Sequence, residues 1–425
     1  MNNSPTRRGD ADVIAFSAFN GLRDDVPAER FNGADTASDK RNGADLNVAI
    51  NVDIDASGAV SRRAGYAQVL SGAAHSLWAN PAGTVCLLAQ GANLRMLQPD
   101  YSSTALRTLA GVGERISYAC EGERVYFSNG VDTGVVEAGS ARSWGLAVPN
   151  LPGVAATVGT LPSGRYQFAM THVRAGGQES GAPLAGVIDL AAGAGLVFTL
   201  PVSTDPGVAA KRVYLSAPDG ETLYLAFEAA NATTTASYTG DTYDLVEPLA
   251  TQFMGPAPAG QLVAYYRGRM WVAAGDLLYP SEPFAYELFD YRNYLRFDGR
   301  ITLLAPMTDK ERSDDTALHS GFFVGTDTSC GIVVGAAPDD FAYVPKTTYG
   351  AVLGALDYVD GALLTDASST SRQLPMWLTT EGVCVGRPDM DIENLTRSKY
   401  GFTARGQGAA LFMPGPNRFI ATANF

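Results

Sequence analysis

The run Asp53-Ile54-Asp55-Ala56-Ser57-Gly58 sets three oxygen-bearing side chains at alternate positions ahead of a glycine, the order in which an EF-hand loop begins to wrap calcium. Such a loop also needs a bidentate Glu at its twelfth position, and that place is held by Ala64. No helix leads into it. Instead Val48, Ile50, Val52 and Ile54 alternate with Ala49, Asn51, Asp53 and Asp55, the period of two that marks a half-buried strand. The chemistry expected here is that of a hairpin tip, with Asp55 and Gly58 at the first and fourth places of a type I turn followed by a bulge. On that reading no metal binds and Asp53→Asn is silent, whereas Gly58→Val damages the hairpin by forcing a β-branched residue into positive φ.

The other reactive side chains are read in the same way. His75, His172 and His319 are the only histidines; none stands in H-E-x-x-H, and each sits beside strand residues, as a structural histidine does. There is no G-x-S-x-G, no Walker loop and no dinucleotide fingerprint. Asp357, Asp360, Asp366 and Glu381 fall in adjoining hairpins and would supply the paired carboxylates of a glycosidase, but turn tips gather carboxylates for backbone reasons alone. Arg62, Arg63, Arg267 and Arg269 raise the question of nucleic acid. The run "YYRGRMW" sets two of them among Tyr265, Tyr266 and Trp271, the ingredients of a single-strand stacking platform. The stronger reading makes Arg267-Gly268 a hairpin tip and the aromatics strand residues that pack blade on blade. No catalytic, cofactor-binding or metal-ligating residue is assigned, no cofactor is implied, and no enzymatic activity is expected.

Composition agrees with a structural body. The chain has 425 residues, 46% hydrophobic and 18% charged, with 46 Gly and 23 Pro, enough for a large core or two domains. No run reaches the 18 apolar residues of a membrane span, and "MNNSPTRRGDADVIAF" lacks the apolar core of a secretory signal, so cytoplasmic synthesis without membrane insertion is expected. Cys86, Cys120, Cys330 and Cys384 lack C-x-x-C spacing and read as free thiols. A net charge of −13 is the wrong sign for gripping phosphates, although it suits a channel along which a polyanion slides.

The elements that position these residues are hairpins. "HSLWANPAGTVCLLA", "RISYACEGERVYFS", "LVAYYRGRMWVAA" and "FFVGTDTSCGIVV" each show two apolar runs around a Gly or Asp turn, with starts at 75, 115, 262 and 319 once the segment 150–250 is set aside. That spacing of roughly 40 to 60 residues is near one four-stranded blade. Helical periodicity is nearly absent, and "TDKERSDDTA" reads as a solvated loop. The fold class expected is all-β: a β-propeller of about six blades with an inserted β-sandwich. The domains are an extended arm over 1–46, a first propeller part over 47–149, an Ig- or fibronectin type III-like sandwich over 150–255 that folds alone between Pro-rich joints, and a second propeller part over 256–425. In the arm, Phe16, Phe19, Leu22 and Phe31 are large apolar side chains that call for a covering surface.

The segments "FNGLRDDVPAERF", "LNVAINVDIDASGAVSRRAGY", "HSLWA", "LPSGRYQFAMTHVRAGGQESGAP", "YYRGRMWVAAGDLLYPSEP" and "WLTTEGVCVG" resemble, over nearly the whole chain, a family of tailed-bacteriophage virion proteins. In that family an arm of the type F-x-G-L…P-A-E-R precedes a hairpin ending R-R-x-G-Y, and the propeller carries an Ig- or fibronectin-like insertion. The resemblance implies a structural part of the viral tail: a nozzle or tail-tube extension, built as a homohexameric ring, through which DNA is ejected. It implies partners in copies of itself, in portal-adaptor or other tail proteins and in tail fibres, with transient contact with phage DNA. It also implies assembly in the host bacterial cytoplasm and residence in the virion. The arm would lie across the propeller or a neighbouring subunit and hold the ring. Two other functions fit the same segments, a receptor- or glycan-binding tail-tip or baseplate module that adheres through the sandwich, and a propeller glycosidase acting on host surface polysaccharide. The family brings no catalytic residues.

Overall fold

A computed structural model describes residues 19–24, 27, 44–55, 57–65, 67–307, 321–364, 373–397 and 404–424. The fold is all-β, with propeller blades and an inserted sandwich; the helical turns among the described residues are Pro338–Asp340 and Gly361–Leu363. The chain forms two compact units, one of residues 71–351 with 388–390, the other of 1–70, 352–387 and 391–425.

The larger unit contains four antiparallel four-stranded blades. The first runs Ala74–Ala79, Cys86–Gln90, Asn93–Leu97 and Ser103–Thr108; the second Ser117–Glu121, Arg124–Ser128, Thr133–Glu137 and Ser140–Arg142. The third runs Leu262–Tyr266, Arg269–Ala274, Leu277–Pro280 and Leu295–Arg296; the fourth Ile301–Met307, Gly321–Thr326, Cys330–Val334 and Ala342–Pro345. The fourth blade therefore starts at Ile301, upstream of the hairpin that signalled it in the sequence. Its first strand is a single buried apolar run with no turn chemistry inside it to announce a hairpin. The expected loop 308–317 lies outside the described residues.

The period-two rule explains why these strands read as near-continuous apolar runs. On Arg124–Ser128, Val125 and Phe127 pack with Leu87, Ala89 and Leu94 of the first blade. Tyr126, between them, points the other way and packs with Val263, Met270 and Val272 of the third. A blade covered on both faces has no polar face to alternate. The third blade repeats the pattern: Val263 and Tyr265 face the second blade, while the Tyr266 ring lies 5.2 Å from Phe322 of the fourth. Ser128 Oγ fastens two blades by donating to Gly260 O at 2.6 Å and accepting from Gly260 N–H at 3.1 Å.

The second and third blades are thus neighbours although residues 143–261 separate them. Within that stretch a three-stranded sheet (Gly153–Leu161, Ala194–Thr199, Thr235–Tyr238) faces a four-stranded one (Gly186–Leu190, Gly164–Arg174, Val208–Ser216, Leu223–Ala230). Their shared core is Leu161, Tyr166, Phe168, Met170, Leu196, Phe198, Val213 and Leu215 among others. Each of these side chains contributes about 1.5–3 kcal/mol by leaving water. The outer face of the four-stranded sheet is covered as well. Ala169, Tyr214 and Leu223 pack with Ala182 and Leu249, on segments that run back toward the blades.

The smaller unit holds a six-stranded sheet, in which the meander Ala351–Asp360, Gln373–Thr379, Gly382–Gly386 and Ile392–Asn394 is extended by Arg405–Met413 and Arg418–Asn424. Arg405–Met413 runs parallel to the first strand, with Leu353 opposite Gln407. With the sandwich sheet set apart, this meander is the fifth four-stranded set among the described residues, and about six blades were expected. The same unit holds the hairpin Val52–Ile54/Val60–Arg62. Residues 47–70 therefore group with the C-terminal strands, and the segments 47–149 and 256–425 are each divided between the two units. Of the arm, Phe19–Leu22 pairs in parallel with Ala44–Leu46, and Phe19 N–H donates to Gly58 O at 2.9 Å. Phe16 and Phe31 lie outside the described residues.

Candidate functional site

The Asp55 carboxylate is spent on its own backbone. Its Oδ1 accepts from Ser57 N–H at 2.8 Å, Ser57 Oγ–H at 2.5 Å and Ala59 N–H at 3.0 Å, and these bonds, the Ser57 hydroxyl first, hold its pKa below the usual value. Gly58 N–H closes the turn on Asp55 O at 2.9 Å with Gly58 at φ +81°. Asp53 lies on the strand, 2.9 Å from Arg418 Nη1 and 3.8 Å from Arg63 Nε, and so ties the hairpin to the C-terminal strand. This pair bears on the expectation that Asp53→Asn is silent, since a partner 365 positions away leaves no local signature in the sequence. Asp53→Asn is expected to cost about 1 kcal/mol in urea unfolding, and Gly58→Val about 1–2 kcal/mol from backbone strain. Added calcium is expected to leave both melting curves where they are.

The histidines divide. His75 Nδ1 lies 2.9 Å from Ser76 Oγ; His319 is outside the described residues. His172 is buried on the sandwich strand Gly164–Arg174, its Nδ1 3.3 Å from Ala147 O. Burial is the main cause that holds its pKa below 6.5, outweighing the carbonyl contact. The unfolded chain therefore binds this proton more readily than the folded one. The stabilising contribution is complete above pH 6.5 and is lost as pH falls through the depressed folded value. His172→Gln is expected to flatten the stability curve below pH 6.5, by at most about 1.4 kcal/mol per pH unit, in urea titrations at stepped pH.

Of the acidic residues considered for glycoside chemistry, the described ones have structural partners. Asp357 accepts from Tyr358 N–H at 2.8 Å and from Phe412 N–H at 2.6 Å. Asp360 caps the turn Gly361–Leu363 through Ala362 N–H at 3.0 Å, and Glu381 sits 3.8 Å from Arg397. Asp366 lies outside the described residues. Among the described residues no three His, Cys, Asp or Glu side chains group as metal ligands. The "YYRGRMW" aromatics are interblade core: Trp271 is buried, 5.2 Å from Phe322 and 4.9 Å from Phe341. Arg269 donates to Ser281 O at 2.5 Å, and Arg267 at the tip lies over the Tyr266 ring at 5.3 Å.

One dense polar constellation was not singled out in the sequence. It lies where the second blade, the third blade and the sandwich meet. Glu287, 9% exposed at its side chain, accepts a two-pronged bond from Arg142, Nη2 to Oε1 at 2.5 Å and Nη1 to Oε2 at 2.7 Å. Gly145 N–H adds a third bond to Oε2 at 3.1 Å. Glu137 shares Arg142 at 3.2 Å and holds Arg124 at 2.7 Å. From the sandwich, Arg174 places Nε 3.9 Å from Glu287 and donates through Nη2 to Ser143 O at 3.2 Å. Trp144, buried beside Tyr126 and Phe289, donates to Tyr286 O at 2.7 Å. Every described group here is a structural bond partner, and the arrangement acts as a clamp. The sequence carried no signal for it, because Arg142 and Glu287 stand 145 positions apart and each lies in an unremarkable strand or loop.

No protein-family model and no curated protein match the chain. Several solved structures are distantly similar, two of them as follows. Dipeptidyl peptidase 4 of Porphyromonas gingivalis is 10% identical with a TM-score of 0.28, over 81% of this chain and 41% of that one. BBS1N, in complex with ARL6DN, is 11% identical with a TM-score of 0.20, over 78% and 94%. The chain thus spans less than half of the peptidase, and neither likeness assigns it a family.

Proposed function

We propose that this chain is a structural subunit of a bacteriophage tail, repeated in a ring of the nozzle or tail-tube type. The observation that carries the reading is the clamp: a buried Glu287 with Arg142 and Arg174 joins two blades and the inserted sandwich into one stiff body. A ring that transmits force during DNA passage needs such bodies and no reaction chemistry, since one heterologous contact repeated by rotation closes it. The acidic balance of −13 supports the reading, because it discourages a sliding polyanion from sticking. The reading includes no catalytic step; Asp357, Asp360 and Glu381 serve backbone and guanidinium groups. Electron microscopy of purified particles, with the chain located by an inserted tag, tests it. A six-fold ring on the tail axis is expected. Absence of the chain from particles, or a position on peripheral fibres alone, would overturn it.

A further inference from the structure

We propose that the third blade carries a saccharide-binding ledge formed by Tyr279, Tyr291 and Tyr294, a role that goes beyond ring assembly. Tyr279 stands on the strand Leu277–Pro280, with the Tyr291 ring edge-on at 6.3 Å and the Tyr294 ring tilted at 5.9 Å. Tyr291 is held by a bond from its hydroxyl to Pro256 O at 2.6 Å and by packing over Gly255, where an added Cβ would stand 2.8 Å from the ring. Tyr291 is thus fixed in place, yet it is 44% and Tyr294 50% exposed.

Two features select the ligand. Over residues 253–296 the exposed large apolar side chains are all aromatic (Phe253, Phe284, Tyr291 and Tyr294), whereas most of those elsewhere on the described chain are Val and Leu. Exposed tyrosine rings suit a ligand that stacks, since the weakly positive C–H groups of a pyranose ring meet the negative π face. The ledge is also rimmed by charge. Asp276 pairs with Arg296 at 3.0 Å, and Asp290 holds Arg292 at 2.6 Å, with the Arg292 and Arg296 side chains largely open to water, Asp276 partly so and Asp290 buried. A protein partner would have to dehydrate these pairs, at a penalty that the pairing need not return. Sugar hydroxyls instead replace the water around them, bond for bond. The other stacking ligand, a single-stranded nucleic acid, is opposed by the net charge of −13.

The test is saturation-transfer NMR on the full chain with maltohexaose, cellohexaose and chitohexaose, and with twelve-residue oligothymidylate as the contrasting stacker. Transfer to pyranose C–H protons of at least one hexasaccharide is expected. Tyr294→Ala is expected to reduce it at least fivefold with an unchanged melt, while Tyr294→Phe, which keeps the face, retains most of it. No transfer from any hexasaccharide, or transfer indifferent to Tyr294→Ala, overturns the proposal. Binding of oligothymidylate alone overturns it in favour of base stacking. A shift from oligomer to monomer in Tyr294→Ala, with no sugar signal, overturns it in favour of a subunit interface. None of these readouts depends on where the chain sits in a particle, so the ledge and the ring can fail separately.

Discussion

Glu287→Ala is expected to lower the unfolding free energy by about 3 kcal/mol, because it strips Arg142 of its two-pronged carboxylate in a largely buried joint and leaves it only Glu137 at 3.2 Å. Arg142 retains only 27% of its side-chain exposure and Arg174 11%, so water cannot fully replace the lost carboxylate. Gly145 N–H would lose its acceptor as well. The measurement is urea unfolding followed by tryptophan fluorescence, which Trp144 reports from inside the joint. Glu287→Gln keeps the volume and one acceptor, and is expected to fall between the two. Replacing both members, Arg142→Met with Glu287→Met, is expected to recover part of the loss, since the damage comes from breaking the pair more than from lacking it. Limited proteolysis should show cleavage in 143–152 in the Ala variant first. A loss below about 1 kcal/mol would mean that the clamp is screened like a surface pair.

Gly181→Ala is expected to cost about 3 kcal/mol or more, the upper end of the penalty for forcing atoms into a packed site. A Cβ there would stand 1.7 Å from Met254 O and 2.4 Å from Met254 C, and backbone cannot rotate away as a side chain can. The two segments are bound to each other immediately beside this point. Ala182 bridges to Gln252 and donates to Thr251 O at 3.2 Å, and Ala182 itself packs beneath Tyr214 and Leu223. The expected consequence is a sandwich that stays folded but whose return segment lifts from it. Hydrogen exchange would then rise at 180–182 and 248–254 and remain slow on Gly164–Arg174. Unchanged exchange at 248–254 would show that the close approach is not needed.

These two sites mark the division between what the chain states locally and what it does not. The hairpins were legible because strand periodicity and turn chemistry are local: Asp55 and Gly58 make the bonds that their spacing foretold. The inserted sandwich was legible because Pro-rich joints bracket a stretch with its own strands. The sequence also assigned the aromatics of "YYRGRMW" to the core, where Tyr266 and Trp271 lie against Phe322. It did not place the start of the fourth blade, since Ile301–Met307 is a nearly continuous buried apolar run with no turn chemistry inside it. Nor did it show that residues 47–70 group with the C-terminal strands, for the Asp53–Arg418 pair spans most of the chain. The clamp and the Gly181 contact depend on segments far apart in the chain that meet only once the blades and the sandwich have packed. Periodicity records which side of a strand is buried; tertiary packing alone decides which distant carboxylate, carbonyl or ring comes to lie against it.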